Sequence, residues 1–262
     1  MNLGLAGRVA VVVASSKGLG RAAALELVAE GVRVVICARG EDELESARAE
    51  IEAAGGDVRA VRVDTANADD LERLVATAES EFGPVDILVT NGGGPTPGTF
   101  DEVGEDDWEA AVEGTLNSVV RLSRRVLPGM RKRGWGRMVH ITSIAVKQPV
   151  DGLILSNTVR AGVTGFARTL ANEVAADGIT VNCVMPGFTW TDRVDELADK
   201  QAEARDATRE QMIEGWENSI PARRLGEPRE LAALIAFLAS DRAGYITAQS
   251  VPVDGGWIRG LL

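Results

Sequence analysis

Apolar and polar positions along the chain alternate between two periods. Val9–Ala14 is a β-branched run, and Leu19–Glu30 has helical spacing that stops at Gly31. Val32–Ala38 is apolar again, and the amphipathic Glu41–Ala54 closes at Gly55-Gly56. The same alternation gives a strand at Val58–Val63, a helix at Ala68–Phe82 and a strand at Val85–Thr90. A Gly/Pro loop, Gly92–Gly98, follows. Asp106–Arg133 reads as a long helix that Pro128 bends near its end. Beyond it come a strand at Arg137–Thr142, a helix at Leu155–Ala176 and a strand at Ile179–Met185. The polar helix Arg193–Trp216, the helix Pro228–Ala239 and a short strand, Ser250–Val253, complete the pattern. Mostly continuous apolar strands, each followed by a helix, predict a parallel sheet covered on both faces. Right-handed crossovers make it an α/β, doubly wound sheet of about seven strands.

Composition narrows the picture. A chain of 262 residues, 45% apolar, suits one large α/β domain, and no linker, repeat or low-complexity segment divides it. Residues 1–262 are therefore read as one domain. The net charge of −11 argues against a nucleic-acid partner. The basic stretch from Arg121 to Arg137 is read as the solvated end of a helix. Cys37 and Cys183 end apolar runs and read as buried free thiols. No signal peptide, bilayer-spanning run or metal-ligand set is expected, so the expectation is a cytoplasmic protein without a membrane partner.

Candidate chemistry begins where the first strand meets the first helix. Ala14-Ser15-Ser16-Lys17-Gly18-Leu19-Gly20 lets backbone approach a pyrophosphate, and the helix start supplies free N–H groups. Ser15 or Ser16 can add a hydroxyl donor. Gly18 and Gly20 match the second and third glycines of the TGxxxGxG motif, while Val13 and Ala14 replace its Thr and Gly. Asn91-Gly92-Gly93 is similar to the motif NNAG. Pro186-Gly187 with Thr189 and Thr191, Arg224-Leu225-Gly226-Glu227-Pro228 and Val253-Asp254-Gly255-Gly256 stand in the same order as in bacterial 3-oxoacyl-carrier-protein reductases. Over about residues 5–257 the chain resembles the short-chain dehydrogenase/reductase (SDR) family. The resemblance implies a Rossmann-type dinucleotide domain.

Charge selects among dinucleotides. A carboxylate at the end of the second strand would bind the adenosine ribose and repel a 2′-phosphate. Here that end reads Ile36-Cys37-Ala38-Arg39. Arg39 can stack on adenine and pair with a 2′-phosphate, and Lys17 adds a second positive charge, so NADP(H) is the expected cofactor. The plain alternative is two surface charges that happen to fall there. Asp64-Thr65 resembles the family pair that caps the adenine ring.

The chemical end departs from the family. Its members carry an Asn–Ser–Tyr–Lys tetrad in which Tyr passes a proton to the carbonyl oxygen. Matching the flanking residues places Thr115 at the Asn position, Ser143 at Ser, Ser156 at Tyr and Arg160 at Lys. Arg160 can still donate to ribose hydroxyls, but it stays protonated and cannot relay a proton. Ser156 is short and weakly acidic, so it can act only through water. Ser143 is open to two readings, a carbonyl ligand or a cap on the loop beyond its strand. His140, the only histidine, lies three residues before Ser143, and strand alternation points it to the opposite face.

By family resemblance the substrate sits under Gly94–Pro97, Val146–Leu155 and Phe188–Trp190, with residues 188–216 as a mobile lid. Apolar Val150, Leu153, Ile154, Phe188 and Trp190 suit a carbonyl or alcohol of medium size, 3-oxoacyl-like among the options. The same residues are also read as a subunit contact. Three functions remain open at this point: an oxidoreductase with an altered proton route, a cofactor-binding sensor or partner module, and a non-redox lyase or isomerase. A homo-oligomer, dimer or tetramer, is expected through the long helices and the apolar tail Trp257-Ile258…Leu261-Leu262.

Overall fold

The computed structural model describes residues 2–261. Seven parallel strands form one sheet: β1 (Val9–Val12), β2 (Arg33–Ala38), β3 (Val58–Arg62), β4 (Ile87–Thr90), β5 (Gly136–Ile141), β6 (Ile179–Pro186) and β7 (Ser250–Val253). Their order is β3-β2-β1-β4-β5-β6-β7. The chain therefore reverses direction across the sheet between β1 and β4, which is where such folds open a crevice at the strands' carboxyl ends. β1, β4 and β5 are buried throughout, as continuous apolar strands covered on both faces must be.

Helices divide between the two faces. α1 (Gly18–Ala29), α2 (Glu41–Ala53) and, much later, α9 (Pro228–Ala239) cover one side, burying Ala23, Leu27, Ile51 and Ile235. On the other side lie α3 (Ala68–Glu81), α5 (Ser118–Arg133) and α6 (Ile154–Val174), which bury Leu74, Leu122 and Ala171. Asn67 caps α3, its side chain accepting from the N–H groups of Asp69 (2.9 Å) and Asp70 (3.3 Å). Gly134 ends α5 at φ +62°, a conformation that costs glycine little.

Two expectations change in detail. The long helix is α4 (Glu105–Ala111) joined to α5 by a π-helical turn, Val112–Asn117, and α5 runs on through Pro128. The polar helix is two, α7 (Asp192–Ala204) and α8 (Arg209–Ser219), split where Asp206 takes φ +51° and Thr208 opens a new capping box with Gln211. Much of the basic stretch is ion-paired: Arg121 with Glu113, Arg125 with Glu72 and Glu79, Arg131 with Asp177, and Arg133 with Asp86. Cys37 and Cys183 are buried free thiols, both pushed up to about 12 by burial. No described helix is long and apolar enough to cross a membrane.

Candidate active site

β1 ends at Val12, two residues earlier than its apolar run suggests, because Ala14 turns to φ +50° and Gly18 to φ +58°. α1 begins at Gly18, and Lys17 gives it no side-chain cap, so its first N–H groups stay free for a ligand. Gly20 packs against the turn it follows. A Cβ there would lie 2.3 Å from the Ala14 carbonyl oxygen. That carbonyl accepts from Asn91 Nδ2 at 3.1 Å, which fixes the turn to the end of β4.

Ser15 corrects one expectation. It is fully buried; its hydroxyl donates to the Val12 carbonyl at 2.7 Å and accepts from the Cys37 N–H at 3.1 Å. The hydroxyl ties β1 to β2 and is spent, leaving Ser16, which is partly exposed, to offer one to a phosphate. Lys17 pairs with Asp192 at 3.1 Å, and a Cβ on Gly18 would come within 3.4 Å of the Thr191 methyl. The phosphate turn thus abuts the start of α7. Pro186 ends β6, and Gly187 bonds its N–H to the Val253 carbonyl at 2.9 Å. Thr189 is buried, with its hydroxyl donating to the Gly187 carbonyl at 3.2 Å.

Beyond the ends of β2 and β3 lies a cleft of about 300 Å³ lined by Arg39, Arg62, Val63, Asp64, Asp70 and Arg73. The Arg39 guanidinium has no partner among the described residues, while its carbonyl accepts from Arg62 Nε at 3.2 Å. Arg73 bonds Asp70 at 2.7 Å and the Arg62 carbonyl at 2.7 Å. Asp70 is held below the usual carboxylate range, first by the Asp64 N–H and then by Arg73. Thr65 lies near Gly114, its hydroxyl 3.8 Å from where a Cβ would stand. Arg62 and Arg73 went unremarked in the sequence. Arg62, as the last residue of β3, carried the available signal.

The four tetrad positions gather beyond β4 and β5. Arg160 is only 8% exposed. Its Nη1 donates to the carbonyls of Ile141 (3.1 Å) and Thr142 (3.0 Å), and its Nε donates to the Ser156 hydroxyl at 3.2 Å. Burial, and then the charge of Arg193, lower its pKa to about 10, so it remains a cation at neutral pH. Thr115, Asn91, Gly92 and Arg160 border a cavity of about 10 Å³, room for about one water. Thr115 lies on the π-helical turn, whose extra residue per turn shifts side chains relative to a regular helix.

Ser143 stands on the turn after β5, which ends at Ile141, so strand alternation does not relate it to His140. Its oxygen accepts from the Ala145 N–H at 3.1 Å, and its hydroxyl hydrogen has no partner among the described residues. His140 is buried, with Nδ1 2.8 Å from the Thr90 hydroxyl and Nε2 unpartnered. Burial lowers its pKa to about 4, which keeps it neutral. Tyr245, the single tyrosine, is fully exposed beyond α9.

On the substrate side, the loops after β4 and β5 are joined: Gly98 N–H donates to the Gly152 carbonyl at 2.7 Å, and Ile154 N–H to the Gly98 carbonyl at 3.3 Å. Phe188 stacks on Trp216 at 4.8 Å and meets the edge of Trp257 at 6.0 Å. Trp257 thus has an aromatic contact within its own chain.

The chain matches the family model described as enoyl-(acyl carrier protein) reductase over residues 13–258. It is 37% identical to a 3-oxoacyl-[acyl-carrier-protein] reductase of Vibrio cholerae, over 97% of this chain and 98% of that one. It is 36% identical to the short-chain reductase protein NovJ of Streptomyces niveus, over 95% and 93% respectively. Among solved structures, L-sorbose reductase of Gluconobacter frateurii, complexed with NADPH and L-sorbose, superposes with a TM-score of 0.94 at 35% identity over the whole of both chains. An actinorhodin polyketide ketoreductase solved with NADPH gives 0.93 at 34% identity, covering 97% of this chain and 98% of that one. With its glycine turn at the sheet's switch point and relatives that match it nearly end to end, the chain belongs to the short-chain dehydrogenase/reductase family.

Proposed function

We propose that the protein is an NADP(H)-dependent oxidoreductase that interconverts a small carbonyl compound and its alcohol without a tyrosine acid. One observation carries the reading. An arginine-lined cleft beyond β2 and β3, an uncapped helix start after β1, and the Ser143, Ser156 and Arg160 group beyond β5 all lie at the carboxyl ends of one parallel sheet. The relatives named above are reductases, which favours this reading over a sensor, a lyase or an isomerase.

The residues fit the cofactor. Gly20 leaves no side chain over the phosphate turn, and Gly92 and Gly93 border open space. The first N–H groups of α1 and the Ser16 hydroxyl would hold the pyrophosphate. Arg39, with Arg62 beside it, would take the 2′-phosphate, and Asp64-Thr65 would border the adenine. When bound, the nicotinamide supplies or accepts the hydride. Ser143, with a free hydroxyl hydrogen, donates to the carbonyl oxygen as negative charge builds on it. Ser156 holds a water that passes the proton, and Arg160 polarises the Ser156 hydroxyl through its Nε–H. Arg160 itself does not exchange its proton near neutral pH. The cavity between Thr115 and Arg160 admits a second water of the relay.

The aromatic group Phe188, Trp216 and Trp257 would border the substrate as part of a lid over residues 188–216. A 3-oxoacyl-like compound is among the candidates. A homo-oligomer in the cytoplasm completes the proposal, since Phe100 and Tyr245 stand exposed and β7 is an edge strand. The test is to mix NADPH with a panel of ketones and oxoacyl thioesters and follow loss of the reduced cofactor's absorbance. Stereospecific transfer of deuteride from labelled NADPH supports the reading; tight NADPH binding with no transfer to any compound refutes it.

A further inference from the structure

Arg160 and Arg193 converge beside Gly94, and among the described residues no carboxylate pairs with Arg160. The three atoms nearest to a Cβ built on Gly94 are all guanidinium nitrogens: Arg193 Nε at 3.5 Å, Arg193 Nη2 at 3.6 Å and Arg160 Nη2 at 3.8 Å. Most of the other donors are engaged. Arg160 spends Nη1 and Nε on Ile141, Thr142 and Ser156. Arg193 spends Nη2 on the Pro95 carbonyl at 2.8 Å and sets Nη1 3.5 Å from Glu196. Arg160 Nη2 and Arg193 Nε are left without a protein partner among the described residues.

Two like charges, one of them more than nine-tenths buried, repel each other unless an anion joins them. Gly94 has no side chain to fill the space, and its φ of +79° disfavours any other residue there. A planar carboxylate matches the offer, because guanidinium N–H donors pair with its two oxygens.

We propose that Arg160 and Arg193 form a carboxylate site, and that the substrate is a short oxo acid. This rests on the oxidoreductase reading above. The spacing follows from one side chain: the Arg160 group that offers Nη2 to the anion also touches Ser156 through Nε. The carboxylate therefore lies a guanidinium's width from the hydroxyl that holds the relay water beside the carbonyl. That reach suits an acid whose carboxylate is bonded to the carbonyl carbon or one methylene away. It disfavours a thioester, whose acyl end carries no charge. A phosphate of the cofactor is the other anion with this chemistry, and the experiment separates the two.

The measurement is calorimetry on protein saturated with NADP⁺, titrated with pyruvate and acetoacetate and with their methyl esters. The expected result is that at least one acid binds about tenfold or more tightly than its ester. Arg193→Gln should abolish that preference, Arg193→Lys should keep part of it, and both should leave NADP⁺ affinity within about twofold. Equal binding of acid and ester, or binding of neither, overturns the proposal using the unaltered protein alone. A loss of NADP⁺ affinity of about tenfold in Arg193→Gln also overturns it, and gives the arginines to the cofactor. Failure of NADP⁺ itself to bind removes the oxidoreductase reading along with this one.

Discussion

Arg160 donates its Nε–H to the hydroxyl of Ser156 at 3.2 Å, one turn earlier on α6. The contact exists because residues four apart share a helix face. It puts a fixed positive charge beside a weakly acidic hydroxyl. If this hydroxyl holds the relay water, Ser156→Ala should lower kcat by about 100-fold and leave NADPH affinity within about twofold. Ser143→Ala should lower kcat by about 100-fold as well, through loss of the carbonyl's donor. Steady-state kinetics with a turned-over substrate, together with fluorescence titration of NADPH, read both effects. An unchanged kcat in Ser156→Ala would show that the proton travels another way.

The cleft at the adenosine end makes a charge prediction. Arg39→Asp should weaken NADPH by about 100-fold and improve NADH, since a carboxylate repels a 2′-phosphate but accepts from ribose hydroxyls. Arg62→Ala should weaken NADPH by about tenfold, because it removes one of the cations lining the cleft and frees the Arg39 carbonyl. NADPH binding should also fall steeply with salt, and NADH binding much less. Parallel titrations of the two cofactors at low and high salt check all three statements.

Gly20 and Ala14 should respond in opposite directions. Gly20→Ala puts a methyl 2.3 Å from a backbone carbonyl oxygen, so helix and turn must part. The expected loss is about 1–3 kcal/mol of stability, with weakened NADPH binding. Ala14→Gly relieves a residue at φ +50°. Relief of about 1–2 kcal/mol is partly offset by the freer unfolded chain, for a net gain of up to about 1 kcal/mol. Urea unfolding of the two variants beside the parent decides.

His140 makes the fold sensitive to acid. Burial lowers its folded pKa from 6.5 to about 4, so between these values the unfolded chain binds a proton that the folded one refuses. Its contribution is intact above about pH 6.5, falls as pH drops, and is fully lost below about pH 4, a change of roughly 3 kcal/mol. Carboxylates titrate in the same range, so the readout is a difference. His140→Asn should lose about 2–3 kcal/mol less than the parent between pH 7 and pH 4, measured by urea midpoints. Equal losses in the two proteins would remove this histidine from the account.

Most of the sheet was legible because its signals are local. The apolar run at β7 matched Ser250–Val253 to the residue, and the glycines at 18 and 20 marked the phosphate turn. The site was legible only as positions. Ser15 read as a phosphate donor, since a serine in a glycine-rich turn carries no mark of its burial; its partner Cys37 stands 22 residues away. The contact of Trp257 with Phe188 was not legible, because nothing near either residue in the chain announces the other. Strand alternation does not place Ser143, because β5 stops two residues short of it.

Sequence by itself determined the alternation of strands and helices, the place of the phosphate turn and the absence of a tyrosine at the reactive end. Each of these rests on residue type and short-range spacing, which the chain carries without folding. Tertiary structure alone decided which donors remain free. Arg160 and Arg193 lie 33 residues apart on different helices, and only the sheet's crossovers bring both beside Gly94. A hydrogen bond or a charge is spent or available according to what the rest of the fold places next to it, and residue type does not record that.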